Sequence, residues 1–189
     1  MKSPITLLLA TLAITGVAVG VGQAQMSQNP MVGGMAMMAN KNIVENAMNS
    51  KDHTTLVAAV KAAGLAEALM GDGPYTVFAP TNDAFENLPS GTVDSLMKAE
   101  NKDMLKGVLL SHVAEGAWTM AKLKDAIRSG NGTAEIQTLS GHKLWASMNG
   151  PTNIVLKDEM GGWSTISTYD VMQSNGVIHV VNSVLLPKM

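Results

Sequence analysis

The decapeptide Thr76-Val77-Phe78-Ala79-Pro80-Thr81-Asn82-Asp83-Ala84-Phe85 constrains this chain more than any other stretch. Thr76 to Ala79 reads as a short buried strand. Pro80 has no N–H with which to continue a ladder and biases Ala79 away from helix. Thr81 is placed to cap a new helix, with Asp83 in its first turn, where the helix dipole favours a negative charge. Phe85 and Leu88 share a face of that helix until Pro89 stops it. The stretch is thus a strand-to-helix corner, a hinge of a fold that carries no chemistry of its own.

Upstream, Asn40 to Met70 reads as paired helices. Asn42-x-x-Glu45 has the form of a capping box, and Ile43, Val44, Ala47 and Met48 make one apolar face. Asp52 or Thr54 is expected to cap the next helix, in which Leu56, Ala59, Val60 and Ala63 recur at helical spacing. Gly64 suits a left-handed helix end. Downstream, Thr92 and Asn101 are read as caps of two further short helices, and Thr119 to Ser129 as an amphipathic one. From Ala134 the pattern changes to period two. Ala134–Leu139, Lys143–Met148, Asn153–Lys157, Ser164–Met172 and Val177–Leu186 read as strands separated by Gly-containing turns. The last of these is apolar on both faces, as a central strand is. Helices first and strands later make an α+β domain.

Two motifs carry a family resemblance. The decapeptide resembles the first signature of the fasciclin (FAS1) domain, and Asn175-Gly176-Val177-Ile178-His179-Val180-Val181-Asn182-Ser183-Val184-Leu185-Leu186-Pro187 resembles the second, about 100 residues later. His112 lies between them and resembles the histidine of the family's tyrosine-histidine pair, with Ser111 where the tyrosine usually stands. The resemblance covers Asn40 to Pro187. It implies an α+β fold, a twisted β-sandwich or wedge with several short helices packed at one end. It also implies that Thr81, Asn82, Asp83, His112, Asn175 and His179 are structural or partner-binding residues, with a polar link from His112 to the Thr81-Asn82-Asp83 corner. Adhesion or attachment to a surface or matrix partner is the implied function, without a cofactor. Because Ser111 departs from the pattern, the adhesion activity linked to the tyrosine-histidine region is not carried over.

Outside the domain, residues 1–24 read as a secretory signal peptide: Lys2, then an apolar run, then small residues before the cut. The run is marginal against the roughly 20 residues a membrane span needs. The sequence contains no cysteine, so neither a lipid anchor nor a disulfide is available. The expected location is periplasmic or secreted, with no transmembrane span after cleavage. Loss of Lys2 takes the formal charge from −2 to −3, and a weakly acidic chain has no electrostatic footprint for nucleic acid. Aromatic residues are only 4% of the chain, which argues against stacking platforms for bases or sugars.

Residues 25–39 are read as a Met-rich flexible leader before a domain at 40–189. Thioethers are soft donors that select Cu(I), so Met31, Met35, Met37 and Met38 are candidate ligands in an alternative reading as a periplasmic copper protein. The competing reading is adaptable packing over the domain surface. Neither the nucleophile elbow of a serine hydrolase nor a zinc-type histidine pair is present, and no enzymatic function is expected. His112 and His179 are read as satisfied core residues, His53 and His142 as solvated ones.

Overall fold

The computed structural model describes residues 29–188; the signal-peptide reading lies outside them. The first described element is a two-stranded hairpin, β1 (Met31–Val32) and β2 (Met35–Ala36), closed by Gly33-Gly34. Three helices follow: α1 (Ile43–Asn49), α2 (Thr54–Ala63) and α3 (Ala66–Leu69). The Asn42 capping box forms in full, Asn42 and Glu45 each accepting the other's backbone N–H. Gly64 ends α2 in the left-handed conformation at φ 72°. Strand β3 (Tyr75–Pro80) then leads through the Thr81 cap into α4 (Asn82–Glu86). The short helices α5 (Thr92–Leu96) and α6 (Lys102–Leu110) precede β4 (Val113–Glu115) and α7 (Met120–Ser129). The remainder is strand: β5 (Thr133–Gln137), β6 (Lys143–Asn149), β7 (Asn153–Lys157), β8 (Trp163–Gln173) and β9 (Gly176–Val181).

These strands form one seven-stranded sheet in the order β4-β3-β9-β8-β7-β6-β5. All neighbours are antiparallel except β3 and β9, which run parallel from Tyr75–Gly176 to Pro80–Val181. A bridge between Ala114 and Thr138, beside a 2.7 Å bond from Leu139 N–H to Val113 O, brings the two edges together. The sheet is therefore a nearly closed wedge, which hides the edges that would otherwise offer unpaired backbone groups.

Period-two burial divides the core in two. One side of β3 and β9, through Val77, Ala79, Ile178 and Val180, packs on the helices. Phe78 and Val181 face the other way, into a core with Leu144, Ile154 and Ile166 that Leu123 and Ile127 of α7 help to close. All six residues of β9 are buried, as expected of a strand with a neighbour on each edge and a core on each face.

Local capping departs from the sequence reading in three places. Neither Asp52 nor Thr54 caps α2; a 3-10 turn at Lys51–His53 leads into it, and Asn82 supplies the cap from another element. Gly91, at φ 81°, takes the cap position expected of Thr92. The Asn101 amide turns back to the Ser95 carbonyl instead of capping α6. At these three starts the nearest polar residue in sequence does not supply the cap, whereas Asn42, Thr81 and Thr119 do so for α1, α4 and α7.

The segment read as a flexible leader is, from Asn29 onward, bound to the domain. The Asn29 amide exchanges two hydrogen bonds with the Met172 backbone, and the Asn46 side chain does the same with Met38. Val32 and Met37 are buried in the helical core. Gly33 makes the docking possible, since a Cβ there would lie 2.6 Å from Ser50 Oγ and Lys51 N. Among the described residues, no helix is long and apolar enough to cross a membrane.

Candidate functional site

The motif residues are fasteners. Thr81 Oγ1 accepts the Ala84 N–H at 3.3 Å. Asn82 spans two chain segments: Oδ1 accepts from Thr55 N–H at 3.0 Å and from the Thr54 hydroxyl, and Nδ2 donates to Lys51 O at 2.9 Å. Asp83 is exposed in the first turn of α4. Asn175 makes three buried or half-buried bonds, accepting from Ile43 N–H and donating to Leu69 O and Gly71 O. Of the six long-range partners of the Asn82 and Asn175 amides, five are backbone groups at helix or turn ends and the sixth is the Thr54 hydroxyl.

The two core histidines are held as opposite tautomers. His112 Nδ1 donates to Val108 O at 2.9 Å, leaving Nε2 to accept from Leu185 N–H at 2.9 Å. His179 Nε2 donates to Trp118 O at 2.6 Å, and Nδ1 accepts from Asp170 N–H at 3.3 Å. Burial pushes the His112 pKa down to about 4 and lowers that of His179 as well. Both rings are thus neutral in the fold and have no nitrogen free for proton transfer or a metal.

Three expectations are corrected. His112 does not reach the Thr81-Asn82-Asp83 corner: its ring points between α6 and the C-terminal segment, and only its carbonyl joins β3, accepting from Phe78 N–H at 2.8 Å. His53 is buried rather than solvated, in a small cavity that it lines with Val32, Met37 and Ala79. Its Nδ1 meets Ser50 Oγ at 2.8 Å, while Nε2 has no hydrogen-bond partner among the described residues. Burial lowers its pKa, outweighing the nearby Ala79 backbone and Asp52, which act the other way. His142 is half-buried and pairs with Glu159 at 2.8 Å.

The four candidate methionines do not gather. The register pairs Met31 with Ala36 and Val32 with Met35, which puts Met31 and Met35 on opposite faces of the hairpin. Met37 is inside the core, while Met31, Met35 and Met38 are exposed. Among the described residues, no three His, Asp or Glu side chains are grouped so as to hold a metal ion.

An apolar cavity lies between α1, α2, α6 and the β3–β9 face, with Lys61 among its lining residues. At about 40 Å3 it is far smaller than the roughly 150 Å3 that accepts benzene in an engineered core. It is a packing defect in size, not a ligand chamber.

A second concavity, on the outer face of the sheet, has about 620 Å3. Strand register builds it. Trp145 on β6 lies opposite Lys157 on β7, and Lys157 opposite Trp163 on β8, so the three side chains form one row across adjacent strands. Thr133 and Ser147 form a neighbouring pair on the same face, and Met160, 62% exposed, rises from the β7–β8 turn. Trp163 is 55% exposed, with the Lys157 ammonium 5.3 Å from its ring centroid. The carboxylates of the turn are engaged. Asp158 accepts from Gly162 and Leu186 N–H. Glu159 accepts from Lys143 N–H and from His142, and these bonds hold its pKa below the usual carboxylate range.

The sequence reading missed this face, since a low aromatic content argued against any stacking platform. Composition counts aromatic residues but does not place them. The available signal was positional: Trp145, Lys157 and Trp163 all occupy outward positions of consecutive strands joined by short turns.

Residues 51–187 match the family model for the fasciclin domain. This chain belongs to the fasciclin family. This fasciclin domain is 42% identical over 188 residues to the protein sll1483 of Synechocystis, covering 96% of this chain and 97% of the relative. It is 30% identical over 182 residues to the immunogenic protein MPB70 of Mycobacterium bovis, covering 93% and 85%. Human periostin is 30% identical over 149 residues, but those cover 79% of this chain and only 16% of periostin. Among solved structures, a FAS1 domain pair from the insect cell adhesion molecule Fasciclin I superposes with a TM-score of 0.68 at 18% identity, covering 77% of this chain and 51% of that one. The superposition confirms the fold expected from the two motifs.

Proposed function

We propose that this fasciclin domain is a non-enzymatic binding module of the periplasm or the extracellular space, exported by the signal read at residues 1–24, which attaches to a cell-surface or matrix partner. The observation that carries the reading is the groove of Trp145, Lys157 and Trp163. Trp163 is exposed and Trp145 half-buried on the same face, and large aromatic side chains open to solvent together are the usual anchors of a binding surface. The relation to a cell adhesion molecule of the same fold supports attachment as the general role.

The Ser111-His112 region is not the attachment point in this reading. Both residues are 2% exposed, and the Ser111 hydroxyl is spent on Gly107 O and Ser140 Oγ. The test is retention of the labelled mature domain on a cell-envelope preparation, compared with the Trp145→Ala/Trp163→Ala double variant. Equal retention of the two would rule the groove out.

A further inference from the structure

We infer that the groove takes an extended neutral polysaccharide, with successive sugar rings stacked on Trp145 and Trp163. This rests on the reading of the groove as the attachment face. Trp145 and Trp163 stand two strands apart on one side of the sheet, a separation of about 10 Å from ordinary strand spacing. Two flat apolar anchors at that distance suit a stiff linear ligand that repeats its apolar face along its length. The C–H face of a pyranose ring packs on the electron-rich face of an indole, as other weakly positive groups do.

What lies between the indoles separates a sugar from a protein partner. Cores of protein interfaces are depleted of charged residues, yet here Lys157 occupies the centre of the row. Thr133, Ser147 and Glu159 add hydroxyl and carboxylate groups to the lining. Such a mixture of stacking faces and hydrogen-bonding groups matches a ligand that carries hydroxyls around apolar ring faces. Charge selects among sugars. Lys157 is offset by Asp158 and Glu159 in the same lining, so the groove presents no net positive charge to an acidic polymer.

The experiment is titration of the mature domain with cellohexaose, xylohexaose and mannohexaose, followed by tryptophan fluorescence, with polygalacturonate as the acidic comparison. Saturable binding of at least one neutral hexasaccharide is expected, with weaker binding of polygalacturonate. Trp163→Ala and Trp145→Ala should each weaken it about tenfold or more, the scale of a single stacked ring. Circular dichroism melts identify any variant that fails to fold, and Lys157→Met, which keeps the side-chain length but removes the charge, is a third probe of the same row. Binding of no neutral probe, with Trp-dependent retention on envelope preparations intact, would overturn the polysaccharide while leaving the attachment face in place. Preference for polygalacturonate would overturn the neutral assignment. Loss of neither activity in the double Trp variant would remove the attachment face and the sugar together.

Discussion

The imidazole of His112 accepts the backbone N–H of Leu185, 73 positions further along the chain, at 2.9 Å. That bond ties the C-terminal segment to the end of α6, and it exists only while the ring is neutral. The folded pKa is about 4 against 6.5 in the unfolded chain. Between those values the unfolded chain binds more protons than the fold. Stability is therefore complete above pH 6.5 and falls as the pH is lowered towards 4, by about 3 kcal/mol from this residue. His53 and His179, also lowered by burial, add in the same direction. Urea unfolding of the wild type and of His112→Gln at pH 7 and pH 4.5 checks it. The gap between the two proteins should narrow in acid; a constant gap would remove His112 from the account.

Asn82 is predicted to matter as a cap for a helix to which it does not belong. Asn82→Ala should cost about 1–2 kcal/mol, the range of helix-cap losses. Asn82→Asp keeps the oxygen that accepts from Thr55 but loses the donor to Lys51 O, so its cost should be smaller. Chemical denaturation of the two variants side by side decides the point, and equal losses would mean that the Lys51 bond dominates.

Gly176 is predicted to tolerate no side chain. A Cβ there would run into the Tyr75 carbonyl and amide at the first pair of the β3–β9 ladder. These are backbone atoms with no rotamer to give way. Gly176→Ala should destabilise by several kcal/mol or abolish soluble expression, whereas Gly150→Ala has open space around its Cβ and carries only the penalty of φ 80°. Thermal melts of the two would rank them.

The methionines of the hairpin should separate into two classes. Met37→Ala is expected to cost about 2–5 kcal/mol as a buried truncation, while Leu at Met31, Met35 and Met38 should change stability by about 0.5 kcal/mol or less. Their dispersal also predicts no tight shared site for Cu(I). In an anaerobic competition titration, the wild type and a variant with all four changed to Leu should behave alike. Tight binding confined to the wild type would mean that the hairpin rearranges around the ion.

Where one strand or helix decides its own fate, the sequence was legible. Asn153–Lys157 forms as a strand with those bounds, the Asn42 box closes, and the last strand, apolar on both faces, lies inside the sheet rather than at an edge. What could not be read locally depends on elements far apart in the chain. The cap of α2 comes from Asn82, 27 positions beyond the N–H it accepts. His53 is buried beside Val32 and Met37, in a segment whose methionines and glycines read as a loose tail. The Trp145–Lys157–Trp163 row exists only once three strands have taken their register.

The parallel pairing of β3 with β9 has a consequence for the order of events in the cell. The strand that sits between the two halves of the sheet, and that both cores need, is the last to be synthesised. Such non-local pairing is slow because the intervening chain must be gathered first. A chain exported as proposed would lack its keystone while partly translocated, and would be threaded across the membrane before there is a fold to resist the passage.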